Sequence, residues 1–223
     1  MSVTATPPLR RRPRGRPVWR LLVLAGVLAV GACTTQAPPD TTRQYVKQLL
    51  AFRAEKDAAF RTDADSPIPA AARATMLPLR YYPPNPAYRV PAVLEPAPTG
   101  DIMQIQTSTG LIRRMQEYGT LEFELQGRSM TLTAFVEEGS PNADRLFVPF
   151  TDLTSGKETY AGGRYLDLTR TPTGIYVIDF NFAYNPYCCY NTGYDCPYPP
   201  PQNRLPVAIR AGERLPSGAA PGA

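Results

Sequence analysis

Two carboxylates, Asp179 and Glu213, stand where polar and aromatic side chains are densest in the chain. A carboxylate pair suits general acid/base work and the hydrolysis of glycosidic bonds. Around them lie Arg164, Asp167, Asn181, Asn185, Asn203 and Arg204, and eight of the 13 tyrosines fall between Tyr160 and Tyr198. The 223 residues include no histidine, which removes every Ser-His-Asp or Cys-His arrangement and every zinc site that needs an imidazole. Chemistry is thereby confined to carboxylates, tyrosines, arginines and thiols. Asp179 is the most informative of these. Its run, Ile175-Tyr-Val-Ile-Asp-Phe-Asn181, is apolar at successive positions and predicts a central strand buried on both faces. A carboxylate there must be paired or hydrogen-bonded, and Arg164 is the natural partner. Two readings follow: an Asp–Arg pair that holds strand ends together, or Asp179, Asn181 and Arg164 facing a ligand at the mouth of a barrel or sandwich.

The tyrosines divide in the same way. Tyr184, Tyr187, Tyr190, Tyr194 and Tyr198 lie in a loop rich in Pro, Asn, Gly and Cys, where they either cover a sheet edge or form a stacking surface for sugar or peptide. The candidate ligand-binding residues are Arg164, Tyr165, Asp179, Asn181, Tyr184, Asn185, Asn203 and Arg204. Candidate catalytic residues are Asp179 and Glu213. Cys188, Cys189 and Cys196 share the same loop, and Cys188–Cys196 or Cys189–Cys196 would each close a short ring. Three thiols in a CC-x6-C spacing match no standard zinc pattern even with Asp195 as a fourth ligand, so a disulfide is expected and no metal. Gly156-Lys157 is not a phosphate loop, because Thr151 and Glu158 break the required pattern. No cofactor is implied.

The elements that must position these residues are mostly strands. Asp40 to Thr62 reads as an amphipathic helix with Tyr45, Leu49, Phe52, Lys56 and Phe60 on one stripe and Val46 and Leu50 beside it. Ser66-Pro67 and Pro69 end it. Strands are predicted at Tyr88–Leu94, Ile102–Thr107 and Leu111–Tyr118. A hairpin follows, with Leu121, Phe123 and Leu125 alternating before a Gly127-Arg128 turn and Met130, Leu132, Ala134 and Val136 after it. Leu146–Phe150, Arg164–Leu168, Ile175–Asn181 and Leu205–Ala211 complete about eight. The expected fold is mainly β, an antiparallel β-sandwich or small open barrel preceded by an N-terminal amphipathic helix.

The formal charge is +5, from 24 Lys+Arg against 19 Asp+Glu. Six arginines (Arg10, Arg11, Arg12, Arg14, Arg16, Arg20) precede Cys33 and no acid does, leaving 18 bases against 19 acids beyond it. The basic character belongs to a leader, and nucleic-acid binding has no electrostatic support. A basic stretch, an apolar run Leu21–Val30 and the small residues Gly31-Ala32 compose a secretory signal too short to span a membrane. Val30-Gly-Ala-Cys33 resembles the bacterial lipobox, which implies lipidation of Cys33 and attachment to a membrane. The expected organisation is a signal over 1–32, a lipidated tether over 33–40 and one domain over 41–214, with helix 41–62 and mainly β structure over 80–214. A disordered tail, 215–223, closes it. The expected location is the cell envelope, at a membrane surface, periplasmic in a diderm.

Several runs resemble one family. They are Leu146-Phe-Val-Pro-Phe-Thr-Asp-Leu-Thr-Ser-Gly-Lys-Glu-Thr-Tyr160, Gly163-Arg-Tyr-Leu-Asp167, Asp179-Phe-Asn-Phe-Ala-Tyr-Asn-Pro-Tyr-Cys188, Cys196-Pro-Tyr-Pro-Pro200 and Asn203-Arg-Leu-Pro-Val-Ala-Ile-Arg-Ala-Gly-Glu213. With Phe52-Arg-Ala-Glu-Lys-Asp57 and Tyr81-Tyr-Pro83 they resemble the bacterial family called domain of unknown function sixteen-eighty-four, over about residues 45 to 214. Many of its members carry lipoprotein signals, and it brings no established activity. Cys189 stands where the family more usually has a small residue, so the resemblance implies a Cys188–Cys196 bridge with Cys189 as the spare thiol. The functional expectation is a non-catalytic binding or scaffold module for glycan or peptide, with a carboxylate hydrolase using Asp179 with Glu213 or Asn181 as the alternative.

Overall fold

A computed structural model describes residues 41–139 and 144–219. Cys33, the leader and the tether lie outside the described residues. Helix α1 spans Thr41–Thr62. A turn at Ala70–Ala72 and the short α2, Arg73–Met76, follow it. Seven strands come next: β1 Arg89–Pro96, β2 Ile102–Gln106, β3 Ile112–Leu125, β4 Arg128–Glu137, β5 Arg145–Phe150, β6 Arg164–Thr169 and β7 Ile175–Asp179.

The hairpin β3–β4 is the spine. Strict alternation buries Leu121, Phe123, Leu125, Met130, Leu132 and Ala134 on one face, and the register pairs Leu121 with Leu132 and Phe123 with Met130. Gln126 and Gly127 both adopt positive φ (55° and 71°), the backbone that a two-residue turn needs to match strand twist. The two strands predicted at Leu111–Tyr118 and Leu121–Gln126 are one long strand with a bulge between Glu117 and Gly119. A Cβ on Gly119 would lie 2.5 Å from the Glu95 carbonyl, so only glycine lets β1 approach there.

All pairings are antiparallel, in the order β6-β5-β4-β3-β1-β7 with β2 on the far end of β3. The sheet curls into a nearly closed barrel. Tyr184, just past β7, exchanges both backbone hydrogen bonds with Tyr165 on β6 at 2.9 and 3.0 Å. Inward residues from six strands form one core with Phe180, Leu205, Val207, Ile209 and Ala211.

Three expectations are corrected. First, β7 lies at the end of the strand order and not at its centre. Ile175 and Val177 are 61% and 48% exposed while Tyr176 and Ile178 are buried, so its outward apolar residues mimic a doubly buried strand. Second, Leu205–Ala211 is no eighth strand. Its alternate side chains do enter the core, but its backbone bonds elsewhere. Leu205 N–H goes to Thr151 O, Leu153 N–H to Val207 O, and Ile209 N–H to the Asp152 carboxylate. Third, Arg164 does not pair with Asp179. It is fully buried and its Nη2 donates to Asp152 Oδ2 at 2.8 Å and to Ile209 O at 2.8 Å, while Nη1 donates to the carbonyls of Ala211 and Glu213. One guanidinium thus replaces the ladder that a strand partner would supply.

Asn203 performs a similar repair. Strands β4 and β5 pair only at Phe135 and Phe147, because Pro149 has no N–H to give Thr133. The Asn203 amide fills that rung, accepting from Thr133 N–H at 2.7 Å and donating to the carbonyls of Thr133 and Pro149 at 2.8 and 2.7 Å. Part of the stretch 215–223, expected as a disordered tail, falls among the described residues. Leu215 is buried and its N–H donates to Glu158 O at 3.1 Å, while residues 220–223 lie outside the described residues.

Replacing Arg164 with Ala leaves the Asp152 carboxylate buried and three carbonyls without their donor. Breaking such a pair costs about 3–5 kcal/mol. We expect that loss in urea unfolding, with no rescue by Arg164→Lys, since a point donor cannot span the fork.

Candidate functional site

Helix α1 docks on the barrel through a stripe that mixes apolar and polar contacts. Leu49 and Phe60 are buried as the periodicity predicts, but so is Arg53, whereas Phe52 and Leu50 are exposed. Arg53 donates to the Tyr82 carbonyl at 2.9 Å and to the Asn181 carbonyl at 3.3 Å. The Asp57 carboxylate accepts Leu79 N–H at 2.9 Å, and Tyr45 OH donates to Asp179 at 3.0 Å. The last polar contact is Lys56 to Glu213 at 2.5 Å.

That docking leaves an open cleft of about 1010 Å³ beside the helix. It lies on the outward face of the sheet. Leu146, Val148, Leu166 and Leu168 point into the barrel core, and the intervening residues Arg145, Phe147, Tyr165 and Asp167 line the cleft. The α1 residues Phe52, Lys56 and Phe60 form a second wall, and the segment from Tyr184 to Pro197 forms the third.

Aromatic rings run around this space in edge contacts. Phe147 meets Tyr165 at 4.7 Å between centroids, and Tyr165 meets Tyr184 at 5.8 Å. The Lys56 ammonium lies 5.1 Å from the rings of both Tyr184 and Phe60. Phe60 meets Tyr187 at 6.2 Å, and Tyr187 meets Tyr194 at 5.3 Å. Lys56, Arg113, Arg145, Asp167 and Asp195, between the rings, are paired. Asp167 Oδ2 accepts from Tyr184 OH at 2.6 Å and from Arg145 at 2.5 Å. Arg113 reaches Asp195 at 3.1 Å and Glu137 at 3.9 Å. Hydrogen bonds from Thr107 and Thr109, joined by the Arg113 guanidinium, hold the Asp195 carboxyl below the ordinary carboxylate range. Burial and then the Asp167 charge push the Tyr184 hydroxyl well above its ordinary value.

The cleft takes in only part of the predicted site. Tyr165 and Tyr184 line it, whereas the other six candidate ligand-binding residues do not. Arg164 and Asn203 are consumed by the repairs described above. Arg204 is exposed beside the Thr151 bridge. Asn185 is buried, its amide donating to Arg214 O at 2.9 Å. Asn181 is buried and clasps the Asn85 backbone at 2.9 and 2.8 Å. Asp179 caps the turn Phe180–Phe182 through Asn181 N–H at 3.0 Å and lies 3.8 Å from Arg89. Glu213 is buried behind the cleft, where it binds Lys56, Tyr190 OH at 2.6 Å and Asn185 N–H at 2.8 Å. Asp179 and Glu213 therefore have separate partners and no shared open space. Sequence reasoning missed Arg113, Arg145, Phe147 and Glu137. The signal was the outward set on successive strands, polar or aromatic residues alternating with core residues on β5 and β6. Cys188, Cys189 and Cys196 are buried thiols, and Cys196 borders the cleft. Among the described residues, no group of three or more Cys, Asp and Glu is placed to hold a metal ion.

Comparison with known proteins adds a family and a fold. The family described as "Protein of unknown function (DUF1684)" matches residues 75–214. The solution NMR structure of an uncharacterized protein of Haloarcula marismortui is similar at 38% identity and a TM-score of 0.62, covering 78% of this chain and 96% of that one. No curated protein matches the chain. The family match includes the strands and the loop that wall the cleft.

Burial raises the hydroxyls of Tyr165, Tyr184 and Tyr190 far above the ordinary tyrosine value. Their raised folded-state values contribute stability that is complete below about pH 10 and lost as pH climbs beyond it. Absorbance titration of tyrosinate should show a class that ionises only as the protein unfolds. Smooth ionisation of all tyrosines near pH 10, without loss of structure, would contradict this burial.

Proposed function

Since the chain belongs to the DUF1684 family, for which no activity is at hand, we propose on its own geometry that it is a non-catalytic binding module of the cell envelope. It takes a glycan or peptide ligand in the cleft between α1, β3–β6 and the Tyr184–Pro197 loop. One observation carries this reading: the ring of aromatic side chains from Phe147 to Tyr194, interleaved with carboxylates and guanidinium groups already held in fixed pairs. Rings offer apolar faces to sugar C–H groups or to peptide side chains at small entropic cost, and prepositioned polar pairs supply direction. The hydrolase alternative has less support, because Glu213 is buried in its pairing with Lys56 and Tyr190, away from Asp179.

Membrane attachment is part of the proposal. The basic stretch, the apolar run and Val30-Gly-Ala-Cys33 support signal removal and lipidation at Cys33. Among the described residues no helix is long and apolar enough to cross a membrane, so in this reading the anchor is the lipid. The wild-type chain should then incorporate labelled fatty acid and partition with membranes. A Cys33→Ser variant should do neither, and equal labelling of the two would remove the lipoprotein assignment.

The cleft is tested by glycan and peptide arrays probed with the full chain in mild detergent. Tyr187→Ala and Phe147→Ala should each weaken a captured ligand by about 1–3 kcal/mol, the scale of a lost stacking contact. Tyr198→Ala, outside the cleft lining, should leave binding unchanged. Unaltered affinity in both cleft variants would place any ligand elsewhere.

A further inference from the structure

Cys188 and Cys196 meet at the back of the aromatic wall. The Cys188 N–H donates to Cys196 Sγ at 3.1 Å, and Tyr160 OH lies 3.7 Å from Cys188 Sγ. Each thiol sits on its own arm. Cys188 belongs to the turn Tyr187–Cys189. Cys196 is held to the β2–β3 connection, where its N–H donates to Ser108 Oγ at 3.1 Å and its carbonyl accepts Ser108 N–H at 2.9 Å. Tyr187, on the first arm, and Tyr194, two residues before Cys196, wall the cleft. Cys196 borders the open space, and Cys188 is buried behind it.

We propose that Cys188 and Cys196 form a reversible dithiol–disulfide couple that is oxidised by small disulfide compounds entering through the cleft, and that closing the bridge fixes the Tyr187–Tyr194 wall. The couple rests on the thiol geometry and holds whatever ligand the cleft takes.

The reduced pair is unusually well supplied with donors. The Cys196 S–H, then the hydroxyls of Tyr160 and Ser108, lower the Cys188 thiol toward about 7. A thiolate stabilised in the reduced form makes the disulfide easier to reduce. That places the couple among labile bridges and apart from purely structural ones. Cys189 differs, since burial and the Glu213 charge push its thiol up and leave it unreactive.

The exchange balances in two steps. Cys196, facing the cleft, attacks one sulfur of the small disulfide as the Cys188 thiolate takes up its proton, acting as general base, and the small thiolate released takes up a proton from solvent. Cys188 then loses its proton and attacks Cys196 Sγ in the mixed disulfide, expelling the second small thiol. Two protein thiols are oxidised, and one small disulfide is reduced to two thiols.

The full chain in mild detergent, equilibrated with mixtures of reduced and oxidised glutathione, then acid-quenched, alkylated and peptide-mapped, tests this directly. The expected result is a Cys188–Cys196 linked peptide that grows with the oxidised fraction and returns to alkylated thiols as the ratio is reversed, with Cys189 alkylated throughout. Amide exchange over 187–196 should slow in the oxidised form. Cys189→Ser should behave as wild type, and Cys188→Ser should stop at glutathione bound to Cys196. The proposal is overturned by a bridge through Cys189, by a mixed disulfide that accumulates in wild type, or by a pair that keeps one state across the whole range. Wild-type mapping decides the matter even where a Cys188 variant fails to fold. Because glutathione is the only probe, an array that captures no glycan or peptide leaves this result standing.

Discussion

A single buried guanidinium ties the separate parts of this fold together. Arg164 has no exposed surface, and burial of an unpaired charge is prohibitive. The Asp152 carboxylate neutralises it, and its two terminal nitrogens also donate to the carbonyls of Ile209, Ala211 and Glu213. Those carbonyls recur at every second residue, so one guanidinium holds the 209–213 segment in place across its bend at Ala211 and Gly212. Leu205, Val207 and Ile209 are thereby aimed into the barrel, and Glu213 is delivered to one definite point. Glu213 in turn binds Lys56 of α1, Tyr190 and the Asn185 backbone. Barrel core, helix and loop are linked through one side chain on β6, and two of the three cleft walls hang from it.

This dependence explains what the sequence made legible. Period-two alternation identifies β3–β4 and the inward residues of β5 and β6, because burial on one face is a local, repeating requirement. The same alternation correctly aims Leu205, Val207 and Ile209 at the core. It fails on what those residues pair with, since alternation speaks for side chains and says nothing of backbone acceptors. A distant arginine takes the Ile209 carbonyl, Leu153 N–H takes that of Val207, and Pro206 supplies no donor. Asp179 misled for a related reason: Ile175 and Val177 are apolar yet outward on a terminal strand, so composition imitated burial. Arg53 was invisible because an arginine on a helix face reads as solvent-exposed unless carbonyls such as those of Tyr82 and Asn181 are known to await it.

Site residues were harder still to read, and the division has a physical cause. Residues rich in hydrogen-bonding capacity serve equally to close a fold and to hold a ligand. Asn203 looks like a recognition residue because an amide can donate and accept at once, and here both capacities are spent replacing a rung that Pro149 cannot make. Tyr165 and Tyr184 reach the cleft because their rings lie on the outward face while their backbones close the barrel. Aromatic residues can serve both ends at once, whereas a fully bonded amide or guanidinium cannot.

The placement of the cleft follows from the same economy of space. The barrel interior is filled by its own side chains and by the 205–211 segment. The cleft opens where a second layer stands off the sheet, and α1 and the Tyr184–Pro197 loop provide that layer. Both are attached by polar contacts at their edges: Arg53 and Lys56 from the helix, and Asn185 and Tyr190 from the loop. Edge attachment leaves the middle unfilled, and outward rings from β5 and β6 line what is left. The cations of this space, Lys56, Arg113 and Arg145, each hold a carboxylate. An anionic ligand would have to displace one of those partners before it could bind. A neutral ligand with hydroxyl or amide groups can bond to the pairs as they stand, which favours a sugar or an uncharged peptide stretch over an anionic substrate.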